Sequence, residues 1–368
     1  PKFTTPTIDK EATNDDNGYA IGDTVNYEIQ AMLPNYPENA INKTFVIYDK
    51  LSNGLSMNTN ADTIKVYYSA DETLDVTQDA LLALQTNYTL TIAGVNGETV
   101  TYPVVGGTSE VLTSNALSID VNLNTLPSAN GYIFVTYEAT VNENAVIGAN
   151  ENDVILEYNN PDTGSSYKEG TTDVYTYGIK VTKVDSENTD LKLNGAEFAL
   201  YKDNNGTPDT VAIEFVVVDE TAGIYRLATD DDATTTTTLK TGTNGNLELR
   251  GLALGTYYLT ETKAPNGYVM PSNPTTKVEI KDDKDNNADG IAEGSFQNTA
   301  AGSTVQNDTV DNDAYVSGNI TNISEDEGAP SLPTTGGMGT ILFTTVGLVL
   351  VGGAAILLVV MYKRKKEN

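Results

Sequence analysis

Short segments in which apolar and polar residues alternate recur along most of the chain, separated by clusters of Gly, Asn and Asp. This period-two alternation is typical of strands with one buried face. Only 77–84 has a helical pattern. In the first half the alternation predicts strands at 24–30, 44–48, 64–68, 88–93, 117–121, 132–141 and 154–158. The pattern therefore predicts an all-β protein of the β-sandwich type.

A polar stretch at 159–172, containing Pro and Gly, interrupts the alternation and predicts a linker. The strand pattern then resumes and continues over 177–323. Because 368 residues exceed what one hydrophobic core usually holds, the chain is expected to contain more than one domain. We expect two tandem immunoglobulin-like β-sandwiches, at 1–172 and 173–325.

Beyond the second sandwich, the chain has a series of features in a fixed order. A short acidic spacer at 326–331 precedes the pentapeptide 332–336, the apolar run 341–361 and the basic tail 363–366. The apolar run is long enough to cross a bilayer as a helix, and the Lys/Arg tail would remain on the cytoplasmic side. The order predicts a C-terminal transmembrane helix, with everything before it outside the cell.

This segment, 332–368, resembles the sorting signal of Gram-positive surface proteins. The pentapeptide is Leu332, Pro333, Thr334, Thr335 and Gly336. The resemblance implies that a sortase, a class C pilin sortase or a housekeeping sortase, cuts after Thr335 and transfers its carbonyl to an amine. It also implies an extracellular, cell-wall location with peptidoglycan as a partner, and only transient membrane anchoring through 341–361.

The composition narrows the function classes. A formal net charge of −30 argues against nucleic acid as a partner, because its phosphates would be repelled. The chain has no Cys, which excludes disulfides and thiolate metal sites, and no His, the usual general base at neutral pH. We therefore expect no cofactor, no resident metal and no enzymatic activity on an external substrate.

In the second half, alternation aligns three polar residues with the core. Glu261 shares a strand face with Leu259, so a buried Leu259 implies a buried carboxylate that needs a partner. The same alternation turns Lys183 inward in the first strand of this half and Asn322 inward in the last strand. We expect these three polar side chains to meet in the core.

Such a cluster has chemistry available to it. Burial lowers the pKa of a lysine and raises that of a carboxyl group, so Lys183 could act as a neutral nucleophile. Attack on the side-chain carbonyl of Asn322, with Glu261 moving protons to the departing ammonia, would give an intramolecular isopeptide bond. The bond would form autocatalytically.

Residues 254–268 resemble the "E-box" strand and turn of collagen-adhesin B-type domains. The resemblance implies that the bond ties the first strand of the domain to the last and that Glu261 promotes it. Lys180 and Asn319 remain the alternatives in a slipped register.

The first half offers a parallel arrangement. Alternation places Lys10, Asp49 and Asn160 each on the same face as neighbouring apolar residues, so a lysine, an acid and an asparagine are again expected to converge. Asn159 is a rival for the asparagine, and Glu28 and Glu138 are alternative acids.

This half resembles the second domain of Gram-positive backbone pilins, through 6–10, 20–25 and 48–55. The resemblance implies a Lys–Asn bond assisted by an aspartate, which we assign to Lys10, Asn160 and Asp49. Pro1 and Lys2 resemble the end of the pilin motif, usually Tyr-Pro-Lys, whose lysine accepts the sorting-signal threonine. By that resemblance, Lys2 of one subunit would join Thr335 of the next.

An incomplete calcium motif lies at 285–290, which matches the first half of an EF-hand loop. Phe296 stands where the bidentate glutamate would be. We interpret this segment as a solvated turn, with calcium binding as the alternative.

The resemblance covers nearly the whole chain. It implies an extracellular structural protein: the shaft subunit of a pilus, joined head to tail to other pilin subunits and stabilised by isopeptide bonds. The alternative is a singly wall-anchored adhesin or minor pilin that binds a host protein or glycan.

Overall fold

A computed structural model describes residues 3–13, 18–38, 40–282, 292–298, 306–307 and 313–325. Within these ranges the chain is almost entirely strand, which confirms the all-β prediction. In the first part the strands are β1 (Ile8–Ala12), β2 (Thr24–Met32), β3 (Phe45–Leu51), β4 (Leu55–Met57), β5 (Lys65–Ser69), β6 (Ala80–Leu81), β7 (Tyr88–Ile92), β8 (Val100–Tyr102), β9 (Glu110–Leu112), β10 (Ala116–Val121), β11 (Tyr132–Val141) and β12 (Gly148–Asn160). Each strand predicted there overlaps an observed one.

A long strand, β13 (Gly164–Asp185), leads into the second part. It is followed by β14 (Glu197–Asn204), β15 (Thr207–Ala212), β16 (Phe215–Asp219), β17 (Ile224–Leu227), β18 (Leu239–Lys240), β19 (Asn246–Leu252), β20 (Gly255–Lys263), β21 (Tyr268–Val269), β22 (Thr275–Lys281), β23 (Glu293–Asn298), β24 (Gln306–Asn307) and β25 (Tyr315–Ser324). Short 3₁₀ turns occur at Ala61–Thr63 and Val95–Gly97. No helix among the described residues is long and apolar enough to cross a membrane, and the predicted span at 341–361 lies outside them.

The predicted helix at 77–84 is wrong. The Asp75 side chain accepts hydrogen bonds from the backbone N–H and the hydroxyl of Thr77, which closes a turn. The backbone N–H of Leu82 donates to Val66 of β5. Side-chain bonding to the local backbone and pairing with β5 therefore replace the helical hydrogen bonds.

The first sandwich has a sheet of order β1-β2-β11-β5-β6, with β4 beside β11. The other sheet contributes β12-β3-β10-β7. Strict alternation along β2 buries Val25, Tyr27 and Ile29, while β3 buries Phe45 and Ile47. These side chains belong to one core cluster drawn from both sheets, as expected for two layers that each have one apolar face.

The second sandwich has a sheet of order β15-β14-β20-β22-β23-β24, with β18 beside β14. Opposite it lie β16, β17 and β19, then β13, with β25 running parallel to β13. Phe198 and Leu259 from the first sheet and Val181 and Leu247 from the second are buried in one cluster. The core of this sandwich is separate from that of the first.

Strand β13 belongs to both sandwiches. It pairs with β12 over Gly164–Thr176, then with β19 from Tyr177 and with β25 from Gly178. The predicted linker at 159–172 is therefore wrong: these residues form the turn and arms of the β12–β13 hairpin. Their polarity reflects a solvent-exposed hairpin whose backbone groups are satisfied by ladder hydrogen bonds.

The joint between the sandwiches is also closed by backbone hydrogen bonds. The N–H of Ile21 donates to the carbonyl of Gly251 at 3.0 Å, and the N–H of Tyr19 donates to Tyr175 at 2.8 Å. Gly251 has a φ of +82°, and a Cβ built there would lie 2.4 Å from Cδ1 of Ile21. Only glycine fits this close approach without strain.

We expect Gly251→Ala to loosen this joint. The variant would cost about 1–2 kcal/mol for the left-handed backbone and roughly 1–3 kcal/mol for overpacking against Ile21. Gly164→Ala is the matched control, because it has a φ of +83° but nothing within 4 Å of the new Cβ. Calorimetric melting should show a larger loss of Tm for Gly251→Ala, and equal losses would contradict the packing argument.

Candidate isopeptide sites

The C-terminal site lies where three strands of the second sandwich meet. Lys183 is on β13, Asn322 is on the parallel neighbour β25, and Glu261 reaches across the core from β20 in the facing sheet. Lys183 pairs in register with Ile320, so Asn322 is two residues farther along the same face. All three polar side chains are buried.

The contacts at this site orient the asparagine amide. The Nζ of Lys183 donates to Oδ1 of Asn322 and lies 3.4 Å from Oε2 of Glu261. The Nδ2 of Asn322 donates to Oε1 of Glu261 at 2.8 Å and to the carbonyl of Val269 at 3.1 Å. The lysine nitrogen therefore faces the carbonyl side of the amide, and the carboxylate faces its nitrogen.

Burial sets the electrostatics of the pair. Desolvation lowers the pKa of Lys183 to about 8, against the opposing attraction of Glu261. Desolvation also raises the pKa of Glu261, although Lys183 and Asn322 act in the other direction. Both shifts favour the neutral forms, so burial lowers the cost of moving a proton from the lysine to the carboxylate.

The N-terminal site connects the two sheets of the first sandwich. Lys10 is on β1 in one sheet, and Asp49 on β3 lies in the other. Their partner is Asn152 on β12, the neighbour of β3 in the same sheet, and Tyr137 on β11 completes the group. Lys10 is 4% exposed and Asp49 is fully buried.

The four side chains form a closed ring of hydrogen bonds. The Nζ of Lys10 donates to Oδ2 of Asp49 and to Oδ1 of Asn152. The Nδ2 of Asn152 donates to the hydroxyl of Tyr137 at 2.7 Å, and that hydroxyl donates to Oδ1 of Asp49 at 3.0 Å. The Lys10 ammonium also lies 5.2 Å from the ring centroid of Tyr27.

Burial again dominates the titration of this pair. Desolvation lowers the pKa of Lys10 to about 8, with Asp49 opposing the shift. Desolvation raises the pKa of Asp49, and the nearby Lys10 partly offsets that effect. The two sites therefore share a buried Lys–carboxyl pair, shifted toward its neutral form by burial, next to an asparagine amide.

The expectation that Asn160 joins Lys10 and Asp49 is wrong. Asn160 lies at the hairpin end of β12, eight residues from Asn152, or about 26 Å along an extended strand. Its Oδ1 accepts from the backbone of Asp162. The rival Asn159 donates to the carbonyl of Ile41.

Asn152 was missed because β12 begins six residues earlier than predicted, at Gly148 instead of 154. A signal was present: Asn152 shares a face with Val154 and Leu156, and Val154 pairs with Asp49 in the antiparallel register. Extending the alternation toward the N-terminus would have placed Asn152 on the inward face of β12.

The other alternative residues lie outside the sites. Lys180 is half exposed and forms an ion pair with Asp313 at 3.1 Å, and Asn319 is exposed. Glu28 is only half buried and Glu138 is exposed, and the buried Lys10 amine forms its ion pair with Asp49. In the second sandwich, the buried residues are therefore Lys183 and Asn322, which the alternation predicted to point inward.

Several expected features fall outside the described residues: Lys2, the sorting signal at 332–336 and the calcium motif at 285–290. Phe296 is described and packs in the core of the second sandwich. Within the described ranges, no cluster of His, Cys, Asp and Glu could hold a metal ion.

Three family models match successive parts of the chain. Residues 21–162 match the model of the Gram-positive pilin backbone subunit 2, Cna-B-like domain. Residues 177–293 match a prealbumin-like fold domain, and 324–368 match the LPXTG cell wall anchor motif. These matches follow one another along the chain in the order of the two sandwiches and the C-terminal segment.

Individual relatives agree with the family matches. The chain is 24% identical to the trypsin-resistant surface T6 protein of Streptococcus pyogenes serotype M6, covering 99% of this chain and 70% of that protein. It is 24% identical to fimbrial subunit type 2 of Actinomyces naeslundii, covering 96% of this chain but only 59% of the relative. The solved T6 backbone pilin of Streptococcus pyogenes has a similar fold, with a TM-score of 0.53 and 20% identity over 87% of this chain and 70% of that one.

Together, the fold and these matches define a structural protein of the Gram-positive cell surface, attached to the cell wall. By its successive matches to a Cna-B-like pilin backbone domain, a prealbumin-like domain and an LPXTG anchor, the chain is similar to Gram-positive backbone pilins.

The buried amine of Lys183 predicts that folding stability depends on pH. This can be measured in a variant that cannot form the Lys183–Asn322 bond. Asn322→Ala retains Lys183 and Glu261 without the amide. Because the folded-state pKa of Lys183, about 8, lies below its ordinary 10.5, the unfolded chain binds more protons between these values. Stability should therefore rise with pH in that window, with a slope of up to about 1.4 kcal/mol per pH unit.

Urea unfolding at a series of pH values between about 7.5 and 9.5 would measure this slope. Asn322→Ala combined with Lys183→Met is the matched control, since it lacks the titrating amine. Parallel pH profiles for the two variants would contradict the assigned burial of Lys183.

Proposed function

We propose that this protein is the shaft subunit of a covalently polymerised pilus, in which each sandwich is locked by a self-formed Lys–Asn isopeptide bond. The bonds would join Lys10 to Asn152 and Lys183 to Asn322. The observation that carries the proposal is the pair of buried lysine, carboxyl and asparagine clusters, one in each sandwich.

The proposed reaction is the same at both sites and balances without an external reagent. After the shared proton moves to the carboxyl group, the neutral lysine Nζ attacks Cγ of the asparagine and forms the new C–N bond. The carbon–Nδ2 bond then breaks, and the nitrogen leaves as ammonia with a proton that comes ultimately from the carboxyl group. The carboxylate recovers a proton from the new amide nitrogen.

Several features of the sites support this chemistry. The fold holds nucleophile and amide in contact, which supplies the high effective concentration that an uncatalysed amide exchange lacks. Burial excludes water, which would otherwise compete as a nucleophile and stabilise the charged lysine. Asp49 and Glu261 would be the acids that promote the two bonds.

The locations of the bonds suit a load-bearing subunit. At the C-terminal site the bond would join β25 directly to β13, and at the N-terminal site it would join β1 to β12. Tension along the chain would then pass through covalent bonds and leave the sandwich interiors unextended.

The intermolecular linkage is the second part of the proposal. A class C pilin sortase would cut after Thr335 and transfer its carbonyl to Lys2 of the next subunit, and repeated transfer would build a head-to-tail fibre. A housekeeping sortase would attach the finished fibre to peptidoglycan. The LPXTG match over 324–368 supports the donor end of this reaction.

Intact mass of the folded protein tests the intramolecular bonds. The wild type should be lighter than its sequence mass by two ammonia molecules, because each bond releases one. Asn152→Ala and Asn322→Ala should each restore the mass of one ammonia. The matched control is Asn160→Ala, which should still lose two, and an unmodified mass in folded wild-type protein would refute the bonds.

Polymerisation is tested in cells that express the full-length protein. Immunoblots of boiled cell-wall extracts should show a high-molecular-weight ladder for the wild type and a single band for Lys2→Ala. Lys202→Ala, which removes an exposed lysine of the second sandwich, is the control and should keep the ladder. A single wall-released band in all three strains would instead indicate a singly anchored adhesin.

A further inference from the structure

The two sites differ in how the carboxyl group reaches the nitrogen that would leave. In the C-terminal site, Oε1 of Glu261 accepts directly from Nδ2 of Asn322 at 2.8 Å. In the N-terminal site, Nδ2 of Asn152 donates to the hydroxyl of Tyr137 at 2.7 Å instead. The contact between acid and leaving nitrogen is therefore direct in one sandwich and mediated in the other.

Both carboxylate oxygens of Asp49 are engaged by groups other than the amide of Asn152. Asp49 is one methylene shorter than a glutamate, and its Oδ2 is held by Lys10. Its Oδ1 accepts from the hydroxyl of Tyr137 at 3.0 Å. A tyrosine hydroxyl can donate and accept at once, so it can bridge this gap in a way that an apolar residue could not.

We propose that Tyr137 is a catalytic residue of the N-terminal site, whose hydroxyl relays the proton from Asp49 to the departing ammonia. This inference rests on the proposed isopeptide reaction at Lys10 and Asn152. It assigns to Tyr137 the step that Glu261 performs directly in the second sandwich.

The relay balances without any further reagent. When the bond between Cγ and Nδ2 of Asn152 breaks, the Tyr137 hydroxyl gives its proton to the leaving nitrogen. Tyr137 takes the carboxyl proton of Asp49 in the same event. The Asp49 carboxylate then accepts a proton from the nitrogen of Lys10 as that nitrogen becomes an amide, so both Tyr137 and Asp49 are regenerated.

The surroundings of Tyr137 keep its hydroxyl in place and protonated. The ring stacks on Tyr27 with centroids 5.2 Å apart and an interplanar angle of 24°, and the residue is 2% exposed. Burial raises the pKa of Tyr137 well above its ordinary value. A phenol held neutral can pass a proton on without first losing it to solvent.

The rate of bond formation tests the relay. The full chain would be made in a short cell-free synthesis pulse and quenched in denaturing acid at timed intervals. Mass spectrometry would then count the cross-linked peptides. We expect Tyr137→Phe to slow formation of the Lys10–Asn152 bond by roughly a hundredfold, the lower end of the range for loss of a general acid–base group. The Lys183–Asn322 bond in the same molecules is the internal control and should form at the wild-type rate.

A second variant controls for the loss of a buried hydroxyl as such. Tyr102 is a buried tyrosine of the same sandwich, and its hydroxyl has no hydrogen-bond partner among the described residues. Tyr102→Phe should form both bonds at wild-type rates. A wild-type rate in Tyr137→Phe would overturn the relay, whereas absence of the N-terminal bond from the wild type would overturn the proposed reaction itself.

Fluorinated tyrosines separate a proton relay from a packing role and keep the test decisive if Tyr137→Phe fails to fold. Tyrosines with one or two fluorine atoms next to the hydroxyl, placed at position 137, change its acidity with little change in size. The rate of the N-terminal bond should vary across this series while the C-terminal bond stays constant. Equal N-terminal rates for the whole series would overturn the proposal.

Discussion

The structure depends on the burial of a lysine against a carboxyl group in each core. Removing both groups from water is unfavourable, and their mutual attraction recovers only part of the cost. The hydrogen-bonding capacity of Asn152 and Asn322 completes the two clusters. Each buried pair thus lies beside an electrophilic amide, and burial shifts the pKa values of its lysine and carboxyl group toward the neutral forms. Desolvation of a lysine destabilises a core. In the proposed reaction it also lowers the lysine pKa and so favours the neutral, nucleophilic amine.

The two clusters connect different parts of their sandwiches. The Lys10 cluster connects opposite sheets, so a bond there would fix the spacing of the layers. The Lys183 cluster connects parallel neighbours within one sheet, with Glu261 reaching over from the facing sheet. Glu261 contacts the amide nitrogen of Asn322 directly, whereas Asp49 is connected to that of Asn152 through the Tyr137 hydroxyl. The fold therefore determines which proton path each site can use.

Alternation and composition predicted much of this arrangement. Lys183, Glu261 and Asn322 each lie on an inward strand face that sequence alone identifies, and Lys10 and Asp49 were found in the same way. Asn152 was not, because the predicted strand began only at 154, and its position beside β3 comes from long-range pairing that the local pattern does not reveal. Tyr137 fits an apolar alternation and gives no sign of its polar contacts. The continuity of β13 was hidden by Pro and Gly, which mark a hairpin turn as readily as a linker.

The hairpin that β13 forms with β12 has a consequence for digestion by proteases. In the proposed cross-linked protein, Lys10 to Asn152 and Lys183 to Asn322 each close a covalent ring, with sequence separations of 142 and 139 residues. A single cut inside either ring opens a loop but releases no fragment. The segment between Asn152 and Lys183 lies in neither ring, so one cut there would divide the subunit. That segment consists mainly of the β12–β13 ladder, whose extended backbone is hydrogen-bonded on both arms and poorly suited to enter a protease active site.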